Sequence, residues 1–303
     1  MDEFELIDRY FSGRGARRGD VPLGIGDDAA VLAPPAGREL LLTTDTLVAG
    51  RHFPADGFPP DAIGHRALAV NLSDIAAMGG TPAWALLAIV LPQADEAWLA
   101  SFAEGFSALA ERFDVALVGG NVARGPLSIT VTAAGFAPQG QALTRRGAQA
   151  GDALVVTGAL GGGAAGLRAF FQGAAVQAAP VRAYAHPEPR VQAGRSLLSR
   201  AHAAIDISDG LLGDLGKLLY AAEGLGAELE AQALPLAPGA SREDALGPSD
   251  DYELLAAVPE REMPAVEASL EGPLFTRIGR VTPTSGIRLD GRPLAGAGFR
   301  HFA

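Results

Sequence analysis

The sequence predicts an α/β (α+β) chain built as two domains. Its 303 residues exceed the usual single-domain span of roughly 100–200 residues. Apolar runs that end in polar turns alternate with helical patterns along the chain. That alternation falls into two series that break near residue 138, which sets domains at 1–137 and 138–303, each of mixed order rather than a strict βαβ series.

In the first series, ELLLTT (39–44), WALLAIVL (84–91) and VALVGG (115–120) are short apolar runs bounded by turn residues, as strands are. LSITVTAAGF (127–136) alternates Leu127, Ile129 and Val131 with hydroxyl residues, the period-two pattern of a strand. Helices are predicted over 65–78 (HRALAVNLSDIAAM) and 96–113, where Trp98, Phe102, Phe106, Leu109 and Phe113 recur at helical spacing as a core stripe. The second series holds strand ALVVT (153–157), a glycine-rich turn with a helix (158–171) and a short strand AAIDI (203–207). A helix over 210–222 buries Leu211, Leu212, Leu215, Leu218 and Leu219, and strands YELLAAV (252–258) and FTRIGRVT (275–282) follow.

Composition narrows the function. A net charge of −11 argues against an extended nucleic-acid surface, because such surfaces replace counterions with Lys and Arg. With no cysteine, disulfides, thiolate catalysis and Cys-ligated metals are excluded. The acidic start MDEFELIDRYF lacks an apolar signal core, and no run of about 18 uncharged apolar residues occurs, so the expectation is a cytoplasmic protein without membrane partners.

GIGDDAAVL (24–32) sets two carboxylates, Asp27 and Asp28, in a glycine-rich loop, where they would repel a bare phosphate unless a cation stood between. Acids recur where apolar elements end: Asp45, Asp206 with Asp209, and Asp250 with Asp251. Each taken singly reads as a cap or Asx turn. Asp74, three residues from Asn71 on an otherwise apolar helix, needs solvent or a partner. The five histidines show no HExxH spacing. Many carboxylates without cysteine or clustered histidine suit a hard cation such as Mg²⁺. TGALGGGAAGL satisfies G-x-G-x-x-G through Gly161, Gly163 and Gly166 but lacks the acid about 20 positions on, so close-packed turn and phosphate contact stay equal alternatives. Lys217 in GDLGKLL lacks the upstream glycine of a Walker A loop, and kinase HRD and DFG signatures are absent.

The order FELIDRYF, GIGDDAAVL, TTDTLVAGRHF, ALAVNLSDIAAMGGTPAW, GGNVARGPLSITV, ALTRRGAQAGD, AIDISDGLLGDLG, DDYELL and GFRHF resembles the thiamine-monophosphate kinase family over nearly the whole chain. That family lies within the aminoimidazole ribonucleotide synthetase-like superfamily. The resemblance implies ATP-dependent phosphorylation of thiamine monophosphate, with several Mg²⁺ ions. It implies two domains: an N-terminal one that binds Mg²⁺ and ATP and pairs across a homodimer, and a C-terminal one that completes the ATP and substrate site. By position, Asp27, Asp28, Thr43, Thr44, Asp45, Asp74, Asn121, Asp206 and Asp209 would hold metal. Gly120, Asn121, Arg145 and Ser208 would contact ATP, while His52, Asp250 and Phe299 would line the substrate site; no residue acts as general base. Two positions depart from the family pattern: Asn121 stands where GGD(T) has aspartate, and Asp250 where a glutamate is usual. A weakened or inactive nucleotide- or thiamine-phosphate-binding relative, or another ATP-using enzyme of the superfamily, is the alternative.

Overall fold

The computed structural model describes residues 3–269 and 275–294. The chain divides into two compact units, Met1–Ile75 with Thr81–Gly140 and Ala76–Gly80 with Gln141–Ala303.

The first unit contains α1 (Glu3–Tyr10), β1 (Arg38–Val48), most of α2 (Pro60–Ala77), β2 (Thr81–Leu91), α3 (Glu96–Arg112), β3 (Ala116–Arg124) and β4 (Ser128–Pro138). Its four-stranded sheet has the order β1-β4-β2-β3. Only β2 and β3 run parallel, and α3 supplies the crossover that parallel neighbours require. β1 reaches four residues past the predicted ELLLTT because Asp45 and Thr46 stay in register with Val131 and Thr130 of β4. On α3, Phe102, Phe106 and Leu109 are buried as the stripe predicts, while Trp98 and Phe113 at its ends are half-buried. α2 and α3 approach closely through two glycines. A methyl group on Gly64 would lie 2.1 Å from the Phe102 carbonyl oxygen, and one on Gly105 would lie 2.0 Å from that of Asp61.

The second unit contains β5 (Ala153–Thr157), α4 (Gly162–Phe171), α5 (Ala179–Ala185), α6 (Val191–Leu197), β6 (Ala203–Asp206), α7 (Leu211–Tyr220) and β7 (Gly226–Leu229). It continues with α8 (Arg242–Leu246), β8 (Leu254–Val258), α9 (Met263–Glu267), β9 (Phe275–Thr282), β10 (Gly286–Leu289) and β11 (Arg292–Leu294). The sheet order is β11-β10-β7-β9-β5-β8-β6. Both faces are covered, so alternate residues of β5 enter different cores. Leu154 and Val156 join the five predicted α7 leucines, whereas Ala153 and Val155 join Leu197, Met263 and Val266. That two-sided burial is why ALVVT reads as a continuous apolar run.

β8 is antiparallel to both β5 and β6. The C-terminal ends of β5 and β6 therefore flank the N-terminal end of β8, and one edge of the sheet carries three chain segments rich in acids and glycine.

Candidate functional site

In the first unit, Asp27 and Asp28 occupy the exposed tip of a hairpin-like loop closed by the Leu23–Val31 bridge. The Asp28 amide donates to Asp27 Oδ1 at 2.8 Å, so one acid shapes the turn that presents the other. Val21, Ala30 and Leu32 at the base of this loop pack against the core cluster that holds Trp84 and Phe136, whose rings meet edge to face at 5.0 Å. Trp84 Nε1 donates to Asp20 Oδ1 at 3.2 Å, and Arg18 grips both oxygens of Asp20 at 2.9 and 2.7 Å. Arg18 also reaches Asp114, tying the approach to the loop onto the α3–β3 corner. The Arg18 hydrogen bonds hold the Asp20 carboxyl below the usual carboxylate range.

β1 divides its candidates between two faces. Thr43 and Asp45 share one face with buried Leu41 and Leu47, while Thr44 lies on the other. Thr43 Oγ1 donates to Asp74 Oδ2 at 2.5 Å, so α2 brings its acid to β1. Thr44 instead donates to the Val131 carbonyl at 3.1 Å and accepts from Thr132 Oγ1 at 3.0 Å. Gly120 and Asn121 on β3 are exposed and pair with Leu87 and Ala88. Only glycine fits at 120, because φ is +155° and a Cβ would lie 1.8 Å from the Leu87 carbonyl oxygen. His52 Nδ1 accepts from the Val48 amide at 2.9 Å, which closes the turn after β1.

In the second unit, β6 ends at buried Asp206, and the turn that follows carries Ser208 and Asp209. The turn is organised by Asp214, one helical turn into α7. Its Oδ2 accepts from the amides of Ser208 at 3.0 Å and Asp209 at 2.9 Å. Its Oδ1 accepts from Lys217 Nζ at 2.7 Å, and the same ammonium reaches Asp209 Oδ2 at 2.5 Å. Burial raises the Asp214 pKa against the pull of Lys217. Burial also opposes the charge on Lys217, but its bonds to Asp209 and Asp214 outweigh that and raise its pKa.

The glycine-rich stretch after β5 resolves to the close-packed alternative. Gly161 and Gly163 donate to the two oxygens of Asp251 at 2.8 and 2.9 Å, and Ser249 Oγ donates to Asp251 Oδ1 at 2.7 Å. A protein carboxylate thus takes the amides that a phosphate would use. The glycines also serve contact, since a Cβ on Gly166 would lie 2.4 Å from the Pro180 carbonyl oxygen of α5. Behind this turn, Arg190 Nε and Nη2 form a bidentate pair with buried Glu253, both at 2.6 Å, and Thr157 Oγ1 donates to Glu253 Oε2 at 2.6 Å. Between Asp251 and Glu253, Tyr252 takes the left-handed conformation, φ +54°, uncommon for an aromatic residue.

The structure thus joins Thr43 with Asp74 and joins Asp209 with Lys217, sets Thr44 on the opposite face of β1 from Asp45, and leaves Arg145 exposed. Asp250 is half-buried beside Asp251. Phe299 lies outside the described residues. Among the described residues no three His, Asp or Glu side chains form a metal-holding group. The donors present are carboxylate, hydroxyl and amide oxygens, which fit Mg²⁺, a cation commonly held by one or two carboxylates together with water and substrate phosphates. Asp214, Arg190 and Glu253 escaped the sequence reading. The available signals were an acid inside the leucine face of α7, with a lysine three residues on, and a glutamate at the start of an apolar strand.

Residues 26–137 match the AIR synthase related protein N-terminal domain, and residues 149–292 match the corresponding C-terminal domain. The chain is 44% identical over 321 aligned positions to the thiamine-monophosphate kinase of Escherichia coli strain K12, covering 99% of this chain and 98% of the relative. Among solved structures it is similar to the thiamine-monophosphate kinase from Stenotrophomonas maltophilia K279a, with TM-score 0.86, 42% identity and coverage of 97% and 98% of the two chains. It is similar also to AaThiL complexed with AMPPCP and TMP, with TM-score 0.79, 32% identity and 92% of each chain covered.

Proposed function

The chain belongs to the thiamine-monophosphate kinase family of AIR synthase related proteins, and from that premise we propose that it transfers the γ-phosphoryl group of ATP to thiamine monophosphate, giving thiamine diphosphate and ADP. The observation that carries the reading is whole-chain identity to kinases of this one activity, supported by a relative bound to an ATP analogue and TMP.

The acceptor is a phosphate monoester whose second pKa is about 6, so its attacking oxygen is already largely anionic at neutral pH. No side chain needs to remove a proton, which fits a site without a general base. The demand on the protein is positioning and charge neutralisation between two polyanions. Asp27, Asp28, Thr43, Thr44, Asp45, Asp74, Asn121, Asp206 and Asp209 are assigned to hold Mg²⁺, which supplies that neutralisation when bound; Thr44, whose hydroxyl lies on the other face of β1 with Val131 and Thr132, is left only its main-chain oxygen for that role. Gly120, Asn121, Arg145 and Ser208 are assigned to ATP, and His52, Asp250 and Phe299 to thiamine monophosphate. Asn121 offers a neutral oxygen where a carboxylate would attract a cation more strongly. Its exposure on β3, together with the bare backbone of Gly120, supports a ligand-facing role.

We assign a homodimer as well. The Thr44 face of the first unit's sheet exposes Leu42 at 67%, Leu40 at 45% and Leu86 at 43%, apolar surface that a second copy would cover. Leu42→Glu should then shift light-scattering mass from two chains to one, and an unchanged mass would remove the assignment. A cytoplasmic location accords with the absence, among the described residues, of any helix long and apolar enough to cross a membrane. The function is tested by incubating the protein with MgATP, with and without thiamine monophosphate, and separating the products. Acceptor-dependent thiamine diphosphate and ADP are expected, and ATP binding with no product in either arm would overturn the reading.

A further inference from the structure

We propose that Asp214 and Lys217 form a positioning pair, in which Asp214 fixes the backbone of the Ser208–Asp209 turn and Lys217 supplies the counter-charge that lets a buried carboxylate do so.

The geometry divides the work between two oxygens. Oδ2 of Asp214 holds both turn amides, and Oδ1 is given wholly to the ammonium. The Asp214 side chain is 1% exposed, so without Lys217 its charge would sit unpaired inside the unit, at considerable cost. Lys217 also holds the Asp209 carboxylate, so the one ammonium fixes the side chain of the residue whose amide Asp214 fixes. An aspartate and a lysine three apart on a helix ordinarily make a weak surface pair. Here the acid faces inward, onto the turn, among Leu211, Leu215 and Leu218.

The inference rests on the assignment of Ser208 to ATP and Asp209 to metal. Its consequence is specific: loosening the turn should weaken nucleotide binding and leave the thiamine monophosphate site alone. Three variants separate the contacts. Asp214→Leu removes both arms. Lys217→Met removes the counter-charge and keeps the apolar stem. The double variant Asp214→Asn with Lys217→Met removes both charges and keeps a carbonyl oxygen that can accept both amides.

Calorimetric titration with AMPPCP in the presence of Mg²⁺ should show the Kd raised at least tenfold in Asp214→Leu, raised less in Lys217→Met, and returned to within about threefold of wild type in the double variant. KM for MgATP should follow the same order, while KM for thiamine monophosphate stays within about twofold. Because neutralising Asp214 would also relieve the cost of an unpaired buried charge, the discriminating result is the split between the two substrates, KM for MgATP raised and KM for thiamine monophosphate unchanged, which a merely destabilising lesion would not give. Equal Kd values in wild type and Lys217→Met, or no recovery in the double variant, would overturn the proposal even if Asp214→Leu fails to fold. A wild type that binds AMPPCP yet makes no thiamine diphosphate would defeat the proposed function, and the binding series would still decide the role of the pair.

Discussion

Two turns at one edge of the second sheet use the same device to different ends. After β5, Asp251 accepts the amides of Gly161 and Gly163; after β6, Asp214 accepts those of Ser208 and Asp209. Asp214 is buried and Asp251 partly so, and burial raises the pKa of each. They differ in what else they hold. Asp251 shares a neutral hydroxyl, Ser249, and the turn it closes is made of small residues against neighbouring backbone. Asp214 is matched by the charge of Lys217, and its turn presents a hydroxyl and a second carboxylate. A glycine-rich loop is therefore no guide by itself to phosphate binding. What occupies its amides decides, and here the loop without the glycine signature carries the ligand-type side chains.

If that contrast holds, changes in the two turns should separate catalysis from stability. The largest effect is expected at Asp209: Asp209→Asn should lower kcat at least 10²-fold with the melting temperature little changed, the scale of losing a charge-stabilising element. Asp74→Asn should do the same from the first unit, since its partner Thr43 tolerates an amide oxygen. Near-normal turnover in both would remove the metal-holding role from these acids.

At the other turn, Asp251→Asn sets an amide NH₂ against one of two buried donors and should cost about 1–3 kcal/mol of stability with kcat of the folded fraction nearly unchanged. Its pH dependence has a definite sign. Because the native Asp251 carboxyl keeps its proton to higher pH than the ordinary 3.8, the native state binds more protons in the window above 3.8. The contribution of this residue to stability then falls as pH rises through that window. Urea midpoints of wild type and Asp251→Asn should converge as pH rises from 4 toward 7, and divergence would contradict the burial argument. The smallest effect is expected at Asn121: Asn121→Asp should lower the Mg²⁺ concentration for half-maximal rate by a few-fold, and no change would show that the neutral oxygen already suffices.

Most of the architecture was legible because burial leaves a periodic record. ALVVT is apolar throughout since both faces of β5 are covered, and the α7 leucines recur at helical spacing since one face packs inward. Helices α1, α5, α6, α8 and α9, and strands β7, β10 and β11 went unread, being eight residues or fewer with no long period to detect. The acids of the candidate site were legible as a recurrence at element ends, and the whole-chain motif order gave the chain a family. Their partners were not. That Thr43 meets Asp74, 31 positions away, and that Arg190 meets Glu253, 63 positions away, depends on tertiary pairing that no local pattern encodes. The split of Thr44 from Asp45 follows from strand alternation, which becomes visible once the strand is known to continue past residue 44.

The most direct measurement is the fate of the transferred phosphoryl group, followed with ATP labelled at the γ-phosphate in the presence of Mg²⁺ and thiamine monophosphate. Direct transfer predicts label in thiamine diphosphate at one per ADP formed, with none on the protein. Label retained on the protein, or ADP released without thiamine diphosphate, would contradict it.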